Sequence, residues 1–512
     1  MMLEALLNSS PELMLRHAPV LLVVIPLVAA GTCSFMPNGR SGWVISIAAT
    51  AASSLSAFLL LGQVQTVPGG VISYALGGWS PPIGIEFRVD ALNVLFLLVT
   101  TGIGFLAAVF SWPTVAAEVR QEKRALFYAA YLTCFAGLAG VAITGDAFNL
   151  FVFLEISSIA TYVLVALGGN RDRRAFPAAF NYLIMGTIGA TFFVIGVGFL
   201  YAATGTLNMV DISLRLSESG SSRTVQAAFA FIMVGLGIKA AAWPLHLWLP
   251  NAYAYAPSFV TMFLSATATK VAIYVLVRFL FTVFSTEIFQ PGTDFVFLLA
   301  PLAMIGMLAC SFQAIFQNDV RRMLAYSSVA QVGYILLGIS MGTAAGLSAG
   351  LFHLVSHSLL KGALFMAVAG IVLTYQGTRV SDFAGLGRAA PLTMTAFAIA
   401  GFSLIGMPLT AGFQSKWLLL TALLDRGWEF AAMVILAVSI LAVIYVGQVL
   451  QAVFFQPPAN PRKVRQEAPL ILLIPLWILT AATVWFGLQP ASLIGLTDAA
   501  ADVSNSLPRV LP

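Results

Sequence analysis

The sequence predicts an all-α polytopic membrane protein of about 14 transmembrane helices, on three observations. Of 512 residues, 60% are hydrophobic and 9% charged, against about 25% charged in soluble domains. Apolar stretches of about 20 residues, long enough to cross a bilayer core, recur along the chain. Two of them are interrupted by glycine and proline, and each interruption lies next to a lysine. The net charge of +5 is small and dispersed, so nothing suggests a nucleic-acid partner. Cys33, Cys134 and Cys310 lie far apart in apolar segments, implying neither a disulfide framework nor a metal site.

The predicted spans centre near residues 27, 52, 101, 135, 157, 190, 234, 270, 306, 332, 360, 407, 441 and 479. Leu21 to Phe35 reads as part of a retained first span rather than a signal peptide, because no cleavage signature follows it. Between the second and third spans, the Gly/Pro-rich stretch from Val67 to Asp90 is the longest early loop. Within it, "GGWSPPIGIEFRVD" can make a short extramembrane hairpin. The tail after Pro490 is polar enough to leave the membrane. Loops after odd-numbered spans hold 14 basic residues, including Arg171, Arg173, Arg174, Arg462, Lys463 and Arg465; the opposite side holds 7, including Arg278 and Arg509. This asymmetry predicts a multi-pass protein of the cell's inner (plasma) membrane, with both termini on the outer face.

The interrupted spans read "GLGIKAAAWPLHLWLP", with Pro244 and Pro250, and "GFSLIGMPLTAGFQSKW", with Gly406 and Pro408. Lys239 precedes the first break and Lys416 follows the second. They are the seventh and twelfth spans. Five is odd, so two successive five-span units run in opposite directions. Paired broken helices in corresponding places are the sequence sign of an inverted-repeat transporter; two unrelated proline kinks are the plainer alternative. The expected organisation is an N-terminal three-helix segment (1–125), five-helix repeats (126–283 and 295–456), and a C-terminal helix and tail (457–512).

The charges that enter the spans are selective. All 19 arginines fall in loops or near span ends, whereas four of six lysines, Lys239, Lys270, Lys361 and Lys416, fall within spans. Arginine stays charged under nearly all conditions, while a lysine removed from water can release its proton. A path that passes protons needs groups that empty and refill. Among 20 acidic residues only Glu155 lies deep in a span, and Asp146 sits at that span's start as a helix cap. Five such charges would cost on the order of 12–17 kcal/mol if left unpartnered, so they are expected to pair or to line hydrated cavities.

The eleventh span adds "FHLVSHSLLKGALF", in which His353, His357 and Lys361 recur at i, i+4 and i+8 along one helix face. A titratable column fits this spacing better than a metal site, because no third ligand is evident. His246, after the first break, is a candidate gate or access point, or a structural residue. Ser157, Ser158, Ser327 and Ser328 can hold water or serve helix packing. No haem, iron–sulfur or flavin motif appears, and no cofactor is expected.

Taken in order, "FNLFVFLEISSI", "KAAAWPLHLWLP", "ATATKVAIYVL", "NDVRRMLAYSSVAQVGY", "FHLVSHSLLKGALF" and "PLTAGFQSKW" resemble the antiporter-like proton-conducting membrane subunits. That family includes the D subunit of Mrp-type cation/proton antiporters and the pumping subunits of complex I and of membrane-bound hydrogenases. The resemblance spans roughly residues 85–455. It implies fourteen helices, inverted five-helix repeats and partner subunits in a membrane complex, translocating protons and a monovalent cation without redox chemistry of the chain's own. By resemblance, Glu155 and Lys239 form the input ion pair, Lys270 is the relay, and His357 and Lys361 stand at the junction. Lys416 would be the terminal lysine of the second half-channel, and Arg321 an anchor. Among subtypes the Mrp D subunit is favoured, because the chain lacks the long lateral helix or large extension of its relatives. A complex I or hydrogenase pumping subunit, and the membrane partner of an inorganic-carbon uptake complex, are the alternatives.

Overall fold

The computed structural model describes residues 2–220, 222–284, 294–457 and 466–505. The chain is a helical bundle that opens with α1 (Met2–Ser34), α2 (Gly39–Thr66) and α3 (Ala91–Glu118). There follow α4 (Arg124–Ile143), α5 (Ala147–Ala166), α6 (Ala175–Thr204), the short surface helix α7 (Met209–Ser219) and α8 (Arg223–Lys239). Next come α9 (Leu249–Tyr255), α10 (Ser258–Ala266), α11 (Ala268–Arg278), α12 (Asp294–Ile315), α13 (Val320–Ser340) and α14 (Ala344–Tyr375). The chain continues with α15 (Pro391–Ile405), α16 (Ala411–Asp425), α17 (Glu429–Phe455), α18 (Leu470–Leu488) and α19 (Ala491–Asn505). Among the described residues, 12 helical segments are long and apolar enough to cross a membrane. The two remaining predicted spans are the broken ones, whose pieces are too short to qualify.

Both breaks have local causes. α8 stops at Lys239, and Ala241 takes a positive φ of 55°. Pro244 then lacks the N–H that continuing the helix would need. α15 stops at Ile405, where Gly406 adopts φ 94°. A Cβ on Gly406 would stand 2.9 Å from Cδ of Lys416, so glycine serves there both as a left-handed cap and as clearance for the lysine stem. Thr410 restarts the chain by capping α16 through Phe413 N. The sequence reading missed a third break. The eighth span divides at Thr267 (φ −127°) into α10 and α11.

The repeat is visible in one feature that occurs twice. Asp146 caps α5, and the chain beside it pairs with the strand-like segment after α6: Ala147 N donates to Leu207 O (2.8 Å) and Met209 N to Gly145 O (2.9 Å). Asp319 caps α13, where Val320 N donates to Thr378 O (2.8 Å) and Val380 N to Asn318 O (2.9 Å), after α14. The same crossing thus joins spans five and six and spans ten and eleven, as inverted five-helix repeats require.

An antiparallel hairpin does form before α3, from β1 (Ile72–Ala75) and β2 (Glu86–Val89), with Ile72 opposite Val89. Its first strand precedes the stretch expected to make the hairpin, because Pro81 and Pro82 cannot donate to a ladder and belong to the loop. The tail also differs from the reading as a departing segment. α19 packs along α14 and α3, burying Leu493, Thr497, Ala500 and Ala501. Arg462, Lys463, Arg465 and Arg509, which enter the orientation count, lie outside the described residues.

Candidate functional site: a line of buried lysines

In the first repeat, Glu155 projects from the middle of α5 and Lys239 from the last turn of α8. Lys239 Nζ donates to Glu155 Oε1 at 3.1 Å and to Ser158 Oγ at 2.7 Å. Ser158 lies one turn beyond Glu155, so one face of α5 supplies both acceptors. The lysine side chain is 8% exposed and the glutamate 22%. A cavity of about 30 Å³ adjoins Lys239, walled by Ser157, Ser158, Thr161 and Tyr182 and, across from them, by Ala268, Val271 and Ala272 of α11. That volume exceeds the roughly 10–15 Å³ that a single water requires.

Lys270 occupies the first turn of α11. Its ammonium donates to the carbonyl of Ser265, which the break at Thr267 leaves free of helical bonding. α10 packs directly on α14, the helix that carries His353, His357 and Lys361 of the second repeat. Lys361 donates to Leu324 O at 2.8 Å and to Ser327 Oγ. His353 and His357 stack with ring centroids 6.4 Å apart, and the outer face of His353 stacks on Tyr334 at 5.0 Å. His353 Nδ1 meets Ser415 Oγ at 2.9 Å. The neighbour of Ser415, Lys416, donates to Leu404 O (3.0 Å), Ile405 O (2.8 Å) and Ser439 Oγ (3.1 Å), and lies 5.1 Å over the Tyr334 ring.

Three of the four lysines therefore bond carbonyls, and in two of these cases a helix break has released the acceptor. Lys270 and Lys416, each beside a break, are held by backbone carbonyls, with no carboxylate bonded to either among the described residues. The side chains of Lys270, Lys361, His353 and His357 are almost wholly buried.

His246 stands apart from this line. It is 3% exposed, and its Nε2 faces Cys310 Sγ at 3.7 Å. Arg321 is buried and donates to Ala256 O at the end of α9 (3.4 Å), tying the two repeats together. The sequence reading passed over several participants. Arg278, counted there among loop charges, is 4% exposed and makes a two-pronged bond to Asp90, the cap of α3, at 2.8 Å each. Asn93 joins that cluster, accepting from Arg278 (2.9 Å) and donating to Tyr274 (2.8 Å). Burial alone would raise the Asp90 carboxyl pKa; Arg278, together with the Asn93 N–H and Arg88, outweighs burial and holds it below the ordinary carboxylate value. Burial raises the pKa of Asp146, at the head of α5. Tyr334, Ser415 and Ser439 were not singled out either, since aromatic residues and hydroxyls within apolar spans look like ordinary packing.

Residues 144–443 match the family described as "NADH:quinone oxidoreductase/Mrp antiporter, TM". The chain is 41% identical over 489 residues to the N subunit of the NADH-quinone oxidoreductase of Desulforudis audaxviator, covering 93% of this chain and 96% of that one. It is 30% identical over 485 residues to the D subunit of the Na(+)/H(+) antiporter of Bacillus subtilis, covering 94% and 96%. Its fold matches a chain of the Mrp complex from Dietzia sp. DQ12-45-1b with a TM-score of 0.87 at 27% identity, covering 96% and 98%. A chain of the archaeal membrane-bound sulfane sulfur reductase matches with the same TM-score at 31% identity, covering 95% and 97%. The line of lysines through two inverted repeats therefore sits in a chain that belongs to the NADH:quinone oxidoreductase/Mrp antiporter family of antiporter-like membrane subunits.

Proposed function

We propose that the chain is the proton-translocating subunit of a multisubunit membrane complex, of the Mrp D-subunit type, exchanging protons for a monovalent cation such as Na+. The observation that carries this reading is the succession Glu155–Lys239, Lys270, Lys361, His357, His353, Lys416 across both repeats. In this reading Glu155 fixes the charge of Lys239. When the pair separates, Lys239 passes its proton towards Lys270, and the two histidines carry it on to Lys416. His246 serves as a gate beside the first break. Both termini face outward, in the inner membrane, and the chain performs no redox chemistry itself. The 30% identity to a protein named as the D subunit of a Na(+)/H(+) antiporter supports the antiporter assignment.

A second reading, a pumping subunit of a redox-driven complex, is favoured by the 41% identity to a protein named as a subunit of NADH-quinone oxidoreductase. Everted vesicles carrying the whole complex separate the two. Addition of Na+ to vesicles holding a pH gradient should collapse it without any electron donor. Proton movement only when a reductant is supplied would overturn the antiporter reading in favour of the second.

A further inference from the structure

Among the buried polar atoms of the second repeat that the protein does not partner, six fall in one interval between two helices. Helices α13 and α14 run antiparallel and touch at two polar points: Ser327 with Lys361, and Tyr334 with His353. Gln331 lies one turn from both Ser327 and Tyr334 on the same face of α13. His357 lies one turn from both Lys361 and His353 on α14, and Ser356 lies one turn from His353. Gln331 therefore faces His357 and Ser356 across the interval between those contacts.

Gln331 is 1% exposed, and neither of its amide atoms has a protein partner; the same holds for both ring nitrogens of His357, for Ser356 Oγ and for Nε2 of His353. Each such group costs about 1–3 kcal/mol when left unmade. Apolar side chains of similar shape would be cheaper than this concentration of amide, imidazole and hydroxyl. The set offers both donors and acceptors within one helical turn, the combination that holds a bridging water.

The repeat gives an independent pointer. Counted from its capping aspartate, Gln331 stands as far from Asp319 as Ser158 stands from Asp146. Ser158 accepts the bond from Lys239 at 2.7 Å. In the second repeat the lysine of the corresponding broken span, Lys416, bonds Leu404 O, Ile405 O and Ser439 Oγ instead, so the amide at the corresponding place is released from holding a lysine directly.

We propose that Gln331 is a positioning residue that anchors water between Lys361 and His357, making the proton connection from the junction lysine to the histidine column. The proposal rests on the proton-translocating reading above. A proton leaving the Lys361 ammonium leaves a neutral amine. It crosses the water held by Gln331 and arrives on a ring nitrogen of His357 as imidazolium, so charge and atoms balance. The amide donates and accepts hydrogen bonds but does not itself carry the proton.

The test uses the whole complex in everted vesicles. Gln331→Met keeps nearly the same length and volume but cannot hold water, and it should lower proton translocation by about tenfold or more with assembly unchanged. Gln331→His, which again offers a donor and an acceptor, should restore most of that loss, whereas a purely packing role would make the rigid, differently shaped ring worse than methionine. Normal translocation by Gln331→Met, or equal loss in both variants, overturns the proposal. Lys361→Ala run alongside separates the two levels: its normal activity would sink the pathway reading itself, while its loss beside a normal Gln331→Met sinks the role of Gln331 alone. If Gln331→Met fails to assemble, a high-resolution map of the unmodified complex decides. Ordered water bonded to both Gln331 and His357 supports the assignment, and a direct or dry contact overturns it.

Discussion

Substitution of Glu155 and Lys239, singly and together, measures whether the ion pair works as a unit. At 3.1 Å, two unit charges attract by about 5 kcal/mol at an effective dielectric near 20. The partial exposure of Glu155 reduces the usable coupling to about 1–3 kcal/mol. That range corresponds to roughly 5–150-fold in an equilibrium. Glu155→Gln preserves shape and an acceptor for Lys239 but removes the charge, while Lys239→Ala removes the titrating group. Cation/proton exchange is read in everted vesicles from the collapse of a pH gradient, normalised to the amount of assembled complex. Each single variant should lose about tenfold or more, and the double variant should be no worse than the more damaged single one. Losses that multiply, or near-normal exchange by Glu155→Gln, would refute the coupled-pair argument.

Gly406→Ala should impair exchange and lower stability by about 1–3 kcal/mol, because it combines a positive φ with a Cβ pressed against the Lys416 stem; unchanged exchange and thermal stability would refute that steric account. Asp90→Ala should destabilise the chain by about 3–5 kcal/mol, the usual result of stranding a buried charge such as Arg278, which thermal unfolding in detergent would check. The Asp90 carboxyl is held below its ordinary value, so the stability it contributes is present above the unfolded-chain value and is lost as pH falls through the lowered one. Asp90→Asn should accordingly flatten the acid limb of the stability profile, and an unaltered limb would show that other groups govern it.

The breaks at Lys239 and Lys416 were legible because proline and glycine act locally and leave a mark in the sequence. The break at Thr267 was not, since "ATATK" contains neither and its β-branched threonines fit an apolar helix. The four lysines and Glu155 stood out because charge is rare and expensive in a span. Their partners did not stand out. Ser158 looked like a water-holding serine but bonds Lys239, and the carbonyls of Ser265, Leu404 and Ile405 are backbone atoms that no residue type announces. The Asp90–Arg278 clamp joins residues 188 positions apart, a pairing that span-by-span reading assigns to two separate loops. The final helix α19 was read as a polar tail because its apolar residues face one side only, and the bundle that receives that side is not visible locally.

The central claim is that the buried lysines act by releasing and regaining protons rather than by supplying fixed charge. Lys416 tests it most directly, because its three partners are neutral oxygens. Lys416→Arg keeps the positive charge and donor capacity but removes the ability to deprotonate. In assembled complex, cation/proton exchange by Lys416→Arg should be as low as by Lys416→Ala. Exchange by Lys416→Arg near that of the unmodified chain would contradict the claim.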